Sequence, residues 1–167
     1  MIERLGWLRT SITGSEWLRR FAQVGLVLAA LWIAVPALGR IAALLAYPYA
    51  HDGLEGTLLY EARLLRAGEA LYRPLELYRF VSAPYPPIHY LFLALFDLIL
   101  GPHVFWAGRL LSLIAALGVA LFAALIVRRT GAAWAVAALA AALVLSIPPL
   151  QLWSTRIKPD VLALLFT

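Results

Sequence analysis

The chain has 167 residues, 63% of them hydrophobic and 14% charged, with a formal net charge of +5. Water-soluble domains run about 45–50% apolar and about 25% charged, so this composition excludes an ordinary soluble domain and points to a bilayer. The basic residues stand at the ends of apolar runs and form no stripe, which excludes a nucleic-acid surface, and with no cysteine there is no disulfide framework, thiolate nucleophile or cysteine-ligated metal.

Residues 1–20 carry Arg4, Arg9, Arg19 and Arg20, which mark a cytoplasmic N-terminus by the positive-inside rule. The apolar run after them is longer than a signal-peptide core and no A-x-A cleavage site follows, so residues 21–45 are expected as a first span, Pro36 included. Residues 51–102 then form an outer loop. Within it Leu54, Leu58, Ala62 and Leu65 recur at helical spacing and Gly68 supplies a stop, predicting an amphipathic helix at the interface. Beyond the rigid turn Ser82 to Pro87, the apolar run 88–100 is interrupted by Asp97. It is too short for a hydrocarbon core of roughly 30 Å and predicts a second interfacial helix.

Residues 104–127 are long enough for a second span and end at Arg128-Arg129, a cytoplasmic signature. After a turn at Thr130-Gly131, the alanine-rich 132–147 is expected as a third span, stopped by Pro148-Pro149. Residues 151–160 make a second outer loop and 161–167 open a fourth span. The expected fold is an all-α polytopic membrane protein of the plasma membrane, with three complete transmembrane helices plus the start of a fourth. A stop at Thr167, inside that fourth helix, implies a truncated piece. The three-span count also places 51–87 and 151–160 on one face, whereas counting 88–100 as a span would separate Asp52 from Asp160 across the membrane.

Few residues can carry chemistry. Asp52 and Glu55 lie where the first helix leaves the membrane, and a carboxylate in a partly apolar setting there can act as a base. Asp-x-x-Glu before an apolar-periodic run is equally a capping box, with Asp52 accepting the helix's first amides and Glu55 reaching back. Arg156, Lys158 and Asp160 combine a guanidinium with an ammonium, as a phosphate-bearing ligand requires; they are also ordinary flanking charges, and Asp160 is a candidate N-cap for the helix opening at Val161. Arg40, Asp97 and Arg109 sit in or beside apolar runs, where charge is costly unless paired, and Asp97 with Arg109 is the expected ion pair. His51, His89 and His103 follow no metal-ligand spacing. Tyr85-Pro86-Pro87, with Tyr90, fits an aromatic belt or a substrate-lining position. Glycine-rich phosphate loops and Ser-His-Asp signatures are absent.

The order of motifs is familiar: a first span, an outer acidic motif, Ala62-Arg63-Leu64-Leu65-Arg66-Ala67-Gly68-Glu69-Ala70-Leu71-Tyr72-Arg73, then Tyr85-Pro86-Pro87-Ile88-His89-Tyr90, Ala107-Gly108-Arg109-Leu110-Leu111-Ser112, and Arg156-Ile157-Lys158-Pro159-Asp160-Val161-Leu162-Ala163-Leu164. It resembles the N-terminal part of C-type (GT-C) membrane glycosyltransferases of the glycosyltransferase 39 group, akin to protein O-mannosyltransferases and the lipid A aminoarabinose transferase. The resemblance implies transfer of a sugar from a polyprenyl-phosphate donor to a protein, lipid or glycan acceptor outside the cytoplasmic membrane, with a first-loop carboxylate as base. Many members carry adjacent Asp-Glu there; this chain separates them, and both Asp52 and Glu55 are candidates. Arg156, Lys158, Asp160, Tyr85 and His51 are the expected donor-phosphate and substrate-binding residues, and no metal ligand or certain cofactor is implied, a divalent metal being left open. The alternative is a polytopic transporter or lipid flippase with Asp97 and Arg109 lining a pathway, or, more blandly, a packing subunit. Charges at membrane boundaries favour the enzyme.

Overall fold

A computed structural model describes residues 6–74, 81–101 and 105–167, with side chains from residue 16 onward. Arg4, Glu76, Arg79 and His103 lie outside these residues, as does the side chain of Arg9. The described residues fold into α1 (Gly6–Leu45), α2 (Gly53–Arg66), α3 (Pro87–Leu100), α4 (Trp106–Arg129), α5 (Trp134–Ser146), α6 (Pro148–Trp153) and α7 (Asp160–Leu165), with no strand among them.

Among the described residues two helices are long and apolar enough to cross a membrane, α1 over Glu16–Leu45 and α4 over Trp106–Arg129. The first is not preceded by a separate segment as expected. It runs unbroken for 40 residues through Arg19, Arg20 and Pro36, about 60 Å at 1.5 Å per residue, or twice a hydrocarbon core. Arg40 lies exposed on it. Small residues make the inward seam, Ala30 and Ala37 with Ile41, while Trp32, Phe21 and Val35 point outward and uncovered. An apolar side chain left on the outside has no hydrophobic reason to be there unless its surroundings are apolar.

Neither α5 nor α7 has the length of the expected third and fourth spans. α5 has 13 residues, about 20 Å, because Ile147 takes an extended conformation and Pro148 starts a new short helix at its N1 position. The amide of Gln151 caps the break by donating to Leu145 O at 3.1 Å. α7 has six residues. The expected second outer loop is thus helical at its start, since α6 reaches Trp153.

α2 and α3 form a hairpin beside this bundle. Gly68, at φ 81°, ends α2 as expected, with Gly68 N–H on Leu65 O and Glu69 N–H on Leu64 O, both at 3.0 Å. The buried face of α2 is rotated from the expected stripe: Glu55, Leu58, Leu59 and Ala62 face in, and Leu54 faces out. α3 has 14 residues, too few to span. Small residues on α4 let the rest approach. A Cβ on Gly108 would sit 2.7–2.8 Å from three Ile157 side-chain atoms, and one on Gly118 would meet Leu165 at 2.6 Å.

Candidate functional site

The site assembles where α1 ends, α2 begins and the segment 154–158 arrives from α6. Asp52 is the N-cap of α2, its Oδ1 accepting from Leu54 N–H at 3.0 Å and Glu55 N–H at 3.2 Å. Its Oδ2 faces the other way, toward Lys158 Nζ at 3.0 Å and Arg156 Nη1 at 3.3 Å. Residues 104 positions apart along the chain meet here. Burial pushes the Asp52 carboxyl up, but the Lys158 hydrogen bond and charge, with the two helix amides, outweigh it and leave the pKa below the usual carboxylate value.

Glu55 has a different fate. Its side chain is fully buried and joined to an Arg109 guanidinium that is 1% exposed. Arg109 Nε donates to Oε1 at 3.2 Å and Nη2 to Oε2 at 2.9 Å, a two-point pairing. Ile157 N–H adds a bond to Oε1 at 3.0 Å and His51 N–H one to Oε2 at 2.7 Å. The reach-back of a capping box therefore lands one residue before the cap. Arg109 also donates to the carbonyls of Tyr47 at 2.5 Å and Tyr49 at 2.6 Å. The expected Asp97–Arg109 pair does not form. Asp97, 2% exposed, takes Arg63 at 3.0 Å and Arg66 at 2.7 Å instead.

His51 closes the end of α1: its Nε2 donates to Leu44 O at 2.9 Å and its ring stacks on Tyr47. Ser112 on α4 fixes the cationic segment, donating to Arg156 O at 2.6 Å. Lys158 lies over the Trp153 ring at 5.4 Å, and Arg156 Nε is buried without a partner among the described residues. Two carboxylates, Asp52 and Glu55, stand against three cations, Arg109, Arg156 and Lys158, so the patch holds an excess positive charge. Its accessible members are Asp52, Arg156 and Lys158, whose side chains are 21%, 23% and 16% exposed.

The remaining expected residues stand apart. Asp160 is not a cap; Pro159 occupies that position, and Asp160 lies exposed in the first turn of α7. It lines a groove with Tyr85. Among the described residues, no group of three or more His, Asp or Glu side chains is arranged to hold a metal ion.

Sequence reasoning missed Glu61. Fully buried, it accepts at Oε1 from Ser82 N–H (2.9 Å), Ser82 Oγ (3.1 Å) and Ala83 N–H (2.8 Å), and at Oε2 from Tyr90 OH at 3.0 Å. It thereby holds Ala83 at φ 36°, a conformation that alanine avoids. Burial and then the Glu61 bond raise the Tyr90 pKa. The signal was present: Glu61 is three residues from Leu58 and four from Leu65, within the apolar arc. Compared with protein-family models, curated proteins and solved structures, the chain finds no match.

Proposed function

We propose that the protein is an integral membrane glycosyltransferase that moves a sugar from a polyprenyl-phosphate donor to a hydroxyl of a protein, lipid or glycan acceptor on the extracytoplasmic face. Asp52 is the general base. The observation that carries this reading is the contact of Asp52 Oδ2 with both Lys158 and Arg156, which puts a carboxylate and two cations in one accessible patch. Two cations suit the charge of a donor phosphate. A phosphate bound by Arg156 and Lys158 draws them from Asp52, and the carboxylate regains the basicity they suppress. Asp52 then takes the acceptor hydroxyl proton as that oxygen attacks the anomeric carbon. The bond to the polyprenyl phosphate breaks, its charge stays on the cations, and configuration inverts. Glu55 is a positioning residue, because all its hydrogen-bonding capacity is already taken up inside the protein.

The membrane arrangement belongs to the same reading. With the N-terminus cytoplasmic, α1 runs outward and α4 runs back, ending at Arg128-Arg129. The chain must then return the length of α4 for Lys158 to reach Asp52, and α5 with α6 makes that third pass in two pieces bent at Ile147. Transport has less behind it, because Asp97 and Arg109, the charges that would line a pathway, are each closed in a local ion pair.

The test is transfer from a labelled polyprenyl-phosphate sugar, in membranes carrying the product of the complete gene. Asp52→Asn should lower turnover by about 10²–10⁴-fold. An unimpaired Asp52→Asn variant, or product NMR showing retained anomeric configuration, sinks the proposal.

A further inference from the structure

A groove of about 540 Å³ runs between the start of α3 and the segment leading into α7. Its walls are mostly apolar: Ile88 and Phe92 on one side, Leu162, Ala163 and Phe166 on the other. Two residues break that character. Asp160 lies on it with its carboxylate exposed, and His89 lines it from inside.

His89 is 2% exposed, and neither Nδ1 nor Nε2 has a hydrogen-bond partner among the described residues. Its ring is held edge-to-face between Tyr85 at 6.0 Å and Tyr90 at 5.9 Å, contacts that orient it without satisfying either nitrogen. A buried polar group left unsatisfied carries an uncompensated desolvation penalty, so a ligand that supplies a bond to either nitrogen gains affinity at this point. Burial drives the His89 pKa down to about 4, leaving a neutral ring that offers one donor and one acceptor.

We infer that this groove binds a hydroxyl-bearing amphiphile, its apolar chain along Phe92, Leu162 and Phe166 and its hydroxyl on the His89 ring. A hydroxyl can donate to an unprotonated ring nitrogen or accept from a protonated one, so it suits whichever nitrogen of the neutral imidazole it meets. An anionic head is disfavoured twice, by the absence of an imidazolium and by the Asp160 carboxylate. Pro159, on the groove wall, directly follows the Lys158 that pairs with Asp52.

The experiment is ¹⁵N NMR of histidine ring resonances in the intact protein, held in phosphatidylcholine nanodiscs whose lipid has no free hydroxyl. The probes are 1-decanol, decane and decyl phosphate. Decanol should shift the His89 resonances saturably and leave those of His51 in place. Ala163→Leu, which narrows the groove from the opposite wall, should weaken decanol by about tenfold. Equal shifts with decane, a stronger response to decyl phosphate, no response at His89, or an unaltered affinity in Ala163→Leu each overturns the site. A His89 shift in phosphatidylglycerol nanodiscs without decanol would show that an anionic lipid headgroup enters the groove, and would overturn the neutral alcohol. Binding requires no turnover, so Asp52→Asn should bind decanol normally. The site and the transfer reaction therefore stand or fall by separate measurements.

Discussion

Asp52 and Glu55 are three residues apart, have the same charge and open the same helix, yet they occupy opposite electrostatic situations. Glu55 is sealed with Arg109 at 0% and 1% exposure, whereas Asp52 meets Lys158 and Arg156 with a fifth of its side chain accessible. The difference comes from helical phase. Glu55 lies three residues before Leu58 on the buried face and must bring a cation and amides to cancel its desolvation; Asp52, before the first turn, keeps one oxygen for the helix and one for whatever approaches. Burial separates the sealed carboxylate from the accessible one, and the Asp-x-x-Glu pattern alone does not.

That contrast can be broken most forcefully at the sealed pair. Glu55→Gln leaves the Arg109 charge buried without its partner and should cost about 3–5 kcal/mol, read as the free energy of unfolding in detergent. Replacing both partners with apolar residues, Glu55→Leu with Arg109→Met, should recover much of that loss. A Glu55→Gln variant of wild-type stability would remove the distinction between the two carboxylates.

A smaller effect is expected at the open member. Asp52→Ala removes the N-cap and should cost about 0.5–2 kcal/mol in the same measurement, whereas Asp52→Asn retains a capping oxygen and should cost far less. Equal losses for Ala and Asn would mean that the Lys158 and Arg156 contacts dominate over the cap.

The smallest effect is the pH response of that open cluster. The folded Asp52 pKa is depressed, so its contribution to stability is fully present above its unfolded pKa and fades as pH falls through the folded one. Lys158→Met removes the largest lowering influence, so the acid loss of stability should begin at a higher pH. Identical acid-unfolding profiles for Lys158→Met and the wild type would break the assignment.

The α4 span, the α2 stop at Gly68 and the shortness of α3 were legible because each is written locally, in apolar length or in one glycine. Charge parity put the loops carrying Asp52 and Arg156 to Asp160 on one expected face, but the contact of Asp52 with Arg156 and Lys158 was not written in it. The Arg109 partner was not, since Asp97 lies nearer along the chain while Glu55 is 54 residues away, and nothing local marks a pair closed through space. The end of α5 was also hidden: Pro148-Pro149 reads as a stop at 147, but the structure shows a bend into another helix at Ile147. His89 was considered only as a metal ligand, because its lack of partners among the described residues exists only in three dimensions.

Arg109 reaches carbonyls beyond the end of α1, the carboxylate that opens α2 and, through that carboxylate, the amide of Ile157. It acts as a rivet through three layers. Sliding α4 past α1, or lifting the 154–158 segment from α2, would have to shear bonds to a charge with no water to replace them. The two sides of the Asp52 patch consequently travel as a single rigid piece, and any motion that admits a ligand has to come from elements the rivet does not reach.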